Sequence, residues 1–223
     1  MRDLIQQERF EIEVLDALNS QRLLRYFVFG GGTMLRLCYG LNRYSVDLDF
    51  WMVRQVDHTE VFQELKDCLS EPYRLQDAAN KFYTMLFEIK SSAYPRSLKI
   101  EIRKEQKKIK VESAVAYSRY ADRQVFLKAV SLQDMMMAKV EAFLDRKEIR
   151  DVFDVEFLFK RGVPLPDSPE VLTSLLRGLD ALSPKDYTVK LGQLLEAAER
   201  KYYTTEKFKL LRSAVQEKIN SSP

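Results

Sequence analysis

The sequence contains little histidine, cysteine or tryptophan and no long apolar run. Its single histidine, His58, argues against histidine-triad chemistry and against a histidine-ligated zinc site. The two cysteines, Cys38 and Cys68, lack the spacing of a zinc site or of a disulfide framework. No segment approaches the roughly 20 apolar residues of a membrane span, and the first residues lack the apolar run of a signal peptide. We therefore expect a cytoplasmic protein that does not contact the membrane.

Charge and composition set loose limits on function. The chain has 223 residues, with 36 basic and 33 acidic side chains and a formal net charge of +3. Apolar residues make up 46% and charged residues 31%, which is typical of a folded protein with a substantial core. The mild positive charge permits contact with nucleic acid but does not by itself indicate it.

The hydrophobic pattern changes character near residue 130. Before that point, strand-like runs alternate with amphipathic helices, and the strand-like runs cover residues 26–29, 47–53, 82–89, 98–103 and 125–130. From Ser131, which begins a capping box with Asp134, the pattern is helical almost to the end. We therefore predict an α+β fold, with a mixed-sheet α/β domain over residues 1–130 and an α-helical domain over residues 131–223.

A glycine-rich turn lies between the first predicted strand and the next helix. Gly30, Gly31 and Gly32 are followed by Thr33, and glycines in this position let backbone amides approach a phosphate closely. Such turns can also serve tight packing alone, and no lysine follows as it would in a Walker A loop. The acidic pair that follows 14 residues after Thr33 favours the phosphate-binding interpretation.

Three carboxylates are candidate metal ligands. Asp47 and Asp49 lie two residues apart in a predicted strand, so their side chains share one face, where a cation would relieve their repulsion. Magnesium prefers such oxygen ligands. Alternatively, Asp47 ends a turn and Asp49 faces solvent. Glu101 belongs to the solvated face of an edge strand, unless that strand lies beside the strand of Asp47, where it could assist a second metal or accept a proton.

In the helical half, basic residues recur at helical spacing. A helix that begins at Ser131 would align Lys139, Arg146 and Arg150 along one face, where they could bind a triphosphate. The alternative is a solvated face whose cations pair with neighbouring acids. Near the end, the segments 201–203 and 207–209 either contact RNA or belong to the helical core and its solvated face.

Several motifs in this order resemble the AbiEii (AbiEii/MenT toxin) branch of the polymerase-β-type nucleotidyltransferase superfamily. The resemblance covers roughly residues 25–160. Its motifs are Gly31-Gly32-Thr33, Arg43-x-Ser45-x-Asp47-Leu48-Asp49-Phe50, Asp134-x4-Lys139 and Arg146-x3-Arg150-Asp151-x2-Asp154. The resemblance implies an α/β catalytic half, a helical half that closes over the nucleotide, and transfer of a nucleotide from a nucleoside triphosphate.

The resemblance also implies a set of site residues. The expected metal ligands for two Mg²⁺ ions are Asp47, Asp49 and Glu101, and Lys139 and Asp151 complete the expected catalytic set. The expected nucleotide-binding residues are Gly31, Gly32, Thr33, Arg43, Ser45, Lys139, Arg146 and Arg150. The implied acceptor is RNA, such as the 3′ end of tRNA, and the implied role is a toxin that a cognate antitoxin restrains. Transfer to a protein or small molecule, and a catalytically silent nucleotide- or RNA-binding regulator, are the alternatives.

Overall fold

The computed structural model describes residues 2–105 and 108–221, which form two compact units. The α/β unit comprises the described residues up to Gly40 together with Tyr44–Ser131. The helical unit comprises Leu41–Arg43 together with the described residues from Leu132 onward. The α+β fold class expected from the sequence is confirmed. Within the described ranges, none of the helices is long and apolar enough to cross a membrane.

The α/β unit is built on a seven-stranded mixed sheet with the strand order β3-β4-β5-β2-β1-β7-β6. The pairs β1/β7 and β2/β5 are parallel, and the other neighbouring strands are antiparallel. In chain order the elements are α1 (Arg2–Ser20), β1 (Phe27–Gly30), α2 (Gly31–Tyr39), β2 (Asp47–Met52), α3 (His58–Ser70), β3 (Arg74–Asn80), β4 (Thr84–Lys90), β5 (Leu98–Arg103), β6 (Val111–Tyr117) and β7 (Gln124–Val130).

Strand β1 is buried along its whole length, whereas β2 alternates strictly between buried and half-exposed residues. In β2, Leu48, Phe50 and Met52 are buried, whereas the residues between them are half-exposed. Helices cover the buried face; for example, the Phe62 ring of α3 stacks on the Phe87 ring of β4 with centroids 5.0 Å apart. Because side chains alternate along a strand, the carboxylates of β2 are on the opposite face of the sheet.

Helix α2 follows β1 without an intervening loop. Gly30 is both the last residue of β1 and the N-cap of α2, so the strand runs directly into the helix. At the other end, Gly40 adopts φ 75°, and its amide donates to the carbonyl oxygens of Arg36 and Leu35, which is a typical glycine helix stop. The strand–glycine turn–helix arrangement expected from the sequence is therefore present.

The helical unit contains five α-helices among its described residues, with short π- and 3₁₀-helical turns at Asp186–Leu191 and Gly192–Leu194. The α-helices are α4 (Leu132–Arg146), α5 (Ile149–Lys160), α6 (Pro169–Asp180), α7 (Ala197–Thr205) and α8 (Lys209–Ser221). The sequence-based expectation of one continuous helical stripe from Lys139 to Arg150 is wrong. Lys147 takes the left-handed conformation, with φ 55°, and ends α4, so Arg150 belongs to α5 and is exposed.

Two further expectations about the strands need correction. The strand predicted over residues 82–89 begins at Thr84, because Phe82 and Tyr83 form the tip of the β3–β4 hairpin. Strands β3 and β6 were not predicted; β3 pairs with β4, and β6 pairs with β7 along its whole length. Both have mostly exposed residues, so they give only a weak apolar signal in the sequence.

Candidate active site

The strand register brings the three candidate carboxylates together on one face of the sheet. Asp49 is directly opposite Gly30 of β1 on one side and directly opposite Glu101 of β5 on the other. Asp47 is two residues before Asp49 and is opposite Lys99. Residues directly opposite each other share a face of the sheet. From the sequence, Glu101 was expected to have a role in the site only if its strand lies beside the strand of Asp47, and β5 does pair with β2.

Gly31 brings the glycine turn into direct contact with Asp49. Its φ of 73° is in the region that favours glycine. A Cβ atom at this position would be 2.8 Å from Cβ and 2.9 Å from Cγ of Asp49, and closer still to Oδ2. The first turn of α2, whose amides have no acceptor within the helix, therefore begins beside the Asp49 carboxylate. This places a potential phosphate cradle next to a potential metal ligand.

Thr33 connects the same turn to the start of β2. Its side chain is buried, and its hydroxyl donates a hydrogen bond of 2.5 Å to the main-chain carbonyl oxygen of Asp47. The threonine thereby fixes the position of Asp47 relative to α2. Contact of Thr33 with a phosphate remains a prediction.

The acidic face fits magnesium better than a metal that needs a complete protein cage. Among the described residues, no group of three acidic, histidine or cysteine side chains is arranged to hold a metal by itself. Magnesium is commonly held by one or two carboxylates, with water and substrate phosphates completing its shell. Asp47 and Asp49 supply that number. The Glu101 side chain is 39% exposed and lies 3.6 Å from the Arg103 guanidinium, so it is accessible at the edge of the pair.

Replacing Gly31 by alanine separates backbone strain from contact with Asp49. The added methyl group would displace the Asp49 carboxylate, so we expect a strong loss of activity, and a loss in unfolding free energy beyond the ~1–3 kcal/mol typical of left-handed strain. Gly162 is the matched control, because it has φ 82° but, among the described residues other than its chain neighbours, no atom lies within 4 Å of the place that its Cβ would occupy. We expect Gly162→Ala to show the strain cost alone in urea unfolding; equal effects of both variants on activity would contradict the account.

A fully buried acid, Glu11 of α1, lies close enough to Asp47 to feel its charge. Neither of its carboxyl oxygens has a hydrogen-bond partner in the described structure. Burial raises the pKa of Glu11 well above its ordinary value, the charges of Glu8 and Asp47 raise it further, and Arg36 partly opposes them. Glu11 is therefore protonated in the folded protein at pH values where it is ionised in the unfolded chain.

This difference predicts a specific pH dependence. Because the folded pKa exceeds the unfolded value of about 4.5, Glu11 lowers the unfolding free energy as the pH rises from that value through the folded pKa. The variant Glu11→Gln does not titrate, so we expect its melting temperature to increase relative to wild type as pH rises over this window. Glu64→Gln, an exposed change on α3, should keep the wild-type pH profile. A constant difference between Glu11→Gln and wild type would contradict the assignment.

In the helical unit, Asp154 holds two cations. It accepts two hydrogen bonds of 2.7 Å from the Arg43 guanidinium, and Lys139 Nζ lies 2.7 Å from its Oδ2 atom. Its side chain is fully buried, and those of Arg43 and Lys139 are only 3% and 9% exposed. Burial alone would raise the pKa of Asp154, but the charges and hydrogen bonds of Arg43 and Lys139 lower it below its ordinary value. Asp154 is thus ionised and fixes both cations.

Asp151 continues the same network. It accepts two hydrogen bonds of 2.7 Å from Arg146, and Lys139 Nζ lies 3.5 Å from its Oδ1 atom. Lys139 is therefore shared between two buried aspartates. Of the three cations expected to bind phosphate, Lys139 and Arg146 are held by these ion pairs with Asp151 and Asp154, whereas Arg150 is exposed on α5.

From the sequence, Asp154 was identified only as part of a motif, and no role was predicted for it. Its signal is the spacing of Asp151 and Asp154, which are three residues apart with only the apolar Val152 and Phe153 between them, so that both lie on one helix face. Ser45 is half-buried, and its predicted nucleotide contact, like that of Arg150, remains a prediction. In α7, Tyr203 is buried and its hydroxyl donates 2.5 Å to Glu156, so this ring belongs to the core.

Comparison with known proteins identifies the family and the fold. The family model described as nucleotidyl transferase AbiEii toxin, Type IV TA system, matches residues 13–217. The fold is similar to that of JHP933 from Helicobacter pylori, with 20% identity over 92% of this chain and 96% of that one and a TM-score of 0.51. It is also similar to a candidate nucleotidyltransferase from H. pylori, with 22% identity over 91% and 97% of the two chains and a TM-score of 0.52. No curated protein sequence gives a significant match. Because the family model spans most of the sequence, the chain belongs to the AbiEii family of nucleotidyl transferase toxins of type IV toxin–antitoxin systems.

Proposed function

We propose that this protein uses Mg²⁺ to transfer a nucleoside monophosphate from a nucleoside triphosphate to a hydroxyl of RNA, such as the 3′ end of tRNA. The observation that carries the proposal is the position of Asp49, which lies against Gly31 of the helix start and opposite Glu101 on the neighbouring strand. A phosphate cradle and two metal-binding carboxylates are the components that such a transfer requires. Family membership supports the reaction class.

The α/β unit supplies residues for each part of this reaction. Asp47 and Asp49 would hold the magnesium, and Glu101 would assist a second ion. Magnesium bound there would offset the negative charge that develops on the α-phosphate and on the leaving pyrophosphate. The amides of Gly31 and Gly32 would bind the distal phosphates at the positive end of α2. The acceptor oxygen would form a bond to the α-phosphorus. The bond between the α-phosphorus and the oxygen that bridges to the β-phosphate would break, and pyrophosphate would leave. Glu101 is the proposed acceptor of the hydroxyl proton.

For the helical unit we propose phosphate binding by Lys139, Arg146 and Arg150, with Asp151 as the residue that positions two of these cations. Replacing Lys139 by alanine should weaken the affinity for nucleoside triphosphate by about tenfold or more, because a hydrogen bond to a charged group contributes roughly 1.5–3 kcal/mol. Isothermal calorimetry below the melting temperature measures this affinity. Lys201→Ala, an exposed change in the same unit, is the control. Unchanged affinity in Lys139→Ala would restrict that lysine to its structural ion pairs.

The test of the proposed function is transfer of an α-labelled nucleotide into RNA. The purified protein is incubated with Mg²⁺, each α-labelled nucleoside triphosphate in turn and total cellular RNA, followed by a denaturing gel. A labelled band of tRNA size that is lost on chelation of the metal would support the proposal. Label in protein or in a small molecule would instead identify those acceptors. Bound nucleotide without any transfer would favour a silent binder.

We further propose that this activity arrests growth and that a cognate antitoxin restrains it, in line with the family. Controlled expression of the wild-type chain should stop growth, and expression of Asp49→Asn at the same level should not. Growth arrest by both proteins would separate toxicity from nucleotidyl transfer.

A further inference from the structure

The tip of the β3–β4 hairpin exposes two aromatic rings. Lys81 donates its amide hydrogen to the carbonyl oxygen of Thr84 at 2.8 Å and closes a short turn with Phe82 and Tyr83 at its end. Phe82 is 84% exposed and Tyr83 is 72% exposed. The rings meet edge to face with centroids 4.6 Å apart, so they form one aromatic tip.

Neither the turn geometry nor the packing of the core explains these two residues. Hairpin turns favour glycine, asparagine and aspartate, often because a positive φ is required, but neither Phe82 nor Tyr83 has a positive φ. Their exposure means that the rings contribute little burial to folding. Two large exposed rings side by side are more typical of a contact surface than of a plain turn.

Basic groups surround the aromatic tip. Lys81 is part of the turn, and Arg103 is opposite Thr84 in the sheet register. The amide of Lys104 donates to the carbonyl oxygen of Tyr83 at 2.9 Å, and its Nζ donates to the carbonyl oxygen of Lys81. Aromatic rings beside cations are the combination that binds single-stranded nucleic acid, because rings stack on bases and cations contact phosphates.

The position of the aromatic tip relative to the carboxylates follows from the sheet. On β5, Glu101 is opposite Leu86 and Arg103 is opposite Thr84, so the tip begins beyond the end of the strand that carries Glu101. The separation along the strand is about 10 Å, three residues at roughly 3.3 Å each. That span equals about three base steps at roughly 3.4 Å each. A single-stranded nucleic acid whose end reaches the carboxylates of Asp47, Asp49 and Glu101 could thus extend over the aromatic tip.

We propose that the tip formed by Lys81, Phe82 and Tyr83 binds the single-stranded end of the RNA acceptor. Phe82 and Tyr83 stack on unpaired bases, and Lys81, Arg103 and Lys104 contact the neighbouring phosphates. This inference rests on the proposed function for its choice of RNA over other partners. It deepens that function by naming a surface of the α/β unit that holds the acceptor.

The experiment measures RNA binding without any catalysis. A fluorescein-labelled single-stranded RNA of about 12 nucleotides is titrated with protein in the absence of nucleotide, and fluorescence anisotropy gives the dissociation constant. The double variant Phe82→Ala/Tyr83→Ala should bind about tenfold or more weakly, because each stacked base is lost with its ring. The reciprocal change Phe82→Tyr/Tyr83→Phe keeps both rings and should bind like wild type.

A matched control uses exposed rings elsewhere in the same sheet. Tyr117 and Phe126 of the β6–β7 edge are 54% and 64% exposed, and the variant Tyr117→Ala/Phe126→Ala should bind RNA like wild type. Equal weakening by both double variants, or no effect of Phe82→Ala/Tyr83→Ala, would overturn the proposal, as would failure of the wild type to bind the RNA.

The outcomes separate this inference from the proposed function. Asp49→Asn should bind the RNA like wild type while losing transfer. Ring-dependent RNA binding by a wild-type protein that transfers no nucleotide would overturn the proposed function and leave the RNA-binding tip standing. Efficient transfer by a protein whose RNA affinity is insensitive to the two rings would do the reverse.

Discussion

Replacing Asp49 by asparagine is expected to reduce the rate of nucleotidyl transfer by at least about a thousandfold, since a metal-bound charge contributes several kcal/mol to transition-state stabilisation. The change preserves the shape of the side chain that packs against Gly31. It also removes one of two negative charges that share a strand face, so thermal stability should hold or rise slightly. Single-turnover kinetics with saturating Mg²⁺ measures the rate, and thermal denaturation measures the stability.

Asp77→Asn is the matched control for this prediction. Asp77 is also a strand aspartate of the α/β unit, but it is exposed on β3 at the far side of the sheet order. We expect its variant to keep the wild-type rate. A rate in Asp49→Asn comparable to that of Asp77→Asn would remove Asp49 from the catalytic set.

The largest effect on stability is expected from Asp154→Asn. Loss of this charge leaves the buried Arg43 and Lys139 without their shared carboxylate, and breaking a buried ion pair by removal of one partner costs about 3–5 kcal/mol of unfolding free energy. Urea unfolding at neutral pH measures this loss. Because the pKa of Asp154 is lowered in the folded state, its contribution is present above the ordinary Asp value of 3.8 and is lost as the pH falls through the folded pKa. The difference between wild type and variant should therefore shrink in acid.

The ion pair of Arg212 with Asp180 is the control, since it also joins a guanidinium to a carboxylate in the helical unit. Its partners are 2.6 Å apart, but their side chains are 44% and 66% exposed. Water screens such a pair, so Asp180→Asn should cost less than about 1 kcal/mol. Equal losses for Asp154→Asn and Asp180→Asn would contradict a structural role for the buried network.

Local sequence patterns were sufficient where the structure depends on neighbours in the chain. The strand, glycine turn and helix around Gly31 follow from a short apolar run, from glycine's access to positive φ, and from helical periodicity. The shared face of Asp47 and Asp49 follows from the two-residue period of a strand. These parts of the candidate site all lie within residues 27–52, so short-range sequence patterns were enough to predict them.

The position of Glu101 opposite Asp49 could not be predicted from such local patterns. Glu101 has the same alternation whether β5 is a solvated edge strand or the parallel neighbour of β2, and only the sheet order distinguishes the two. Parallel pairing joins strands that are distant in sequence, so no local pattern encodes it. The identity of the third carboxylate was therefore conditional on the fold.

The basic residues of the helical unit show a different limit. Helical periodicity predicted that one helix aligns the cations from Lys139 to Arg150 along one face. In the structure, the left-handed conformation of Lys147 ends the helix between them. A lysine gives no warning of such a conformation in sequence, unlike glycine or asparagine. The burial of Lys139 also depends on Asp151 and Asp154 of the next helix, which the spacing of cations alone does not reveal.

The proposed reaction breaks the bond between the α-phosphorus and the oxygen that bridges to the β-phosphate. Parallel reactions with α-labelled and γ-labelled nucleoside triphosphate, Mg²⁺ and RNA test this directly. We expect α label in the RNA and γ label in pyrophosphate, in equal amounts, with neither product formed by Asp49→Asn. The appearance of γ label in the acceptor, or of pyrophosphate with no label in any acceptor, would contradict nucleotidyl transfer.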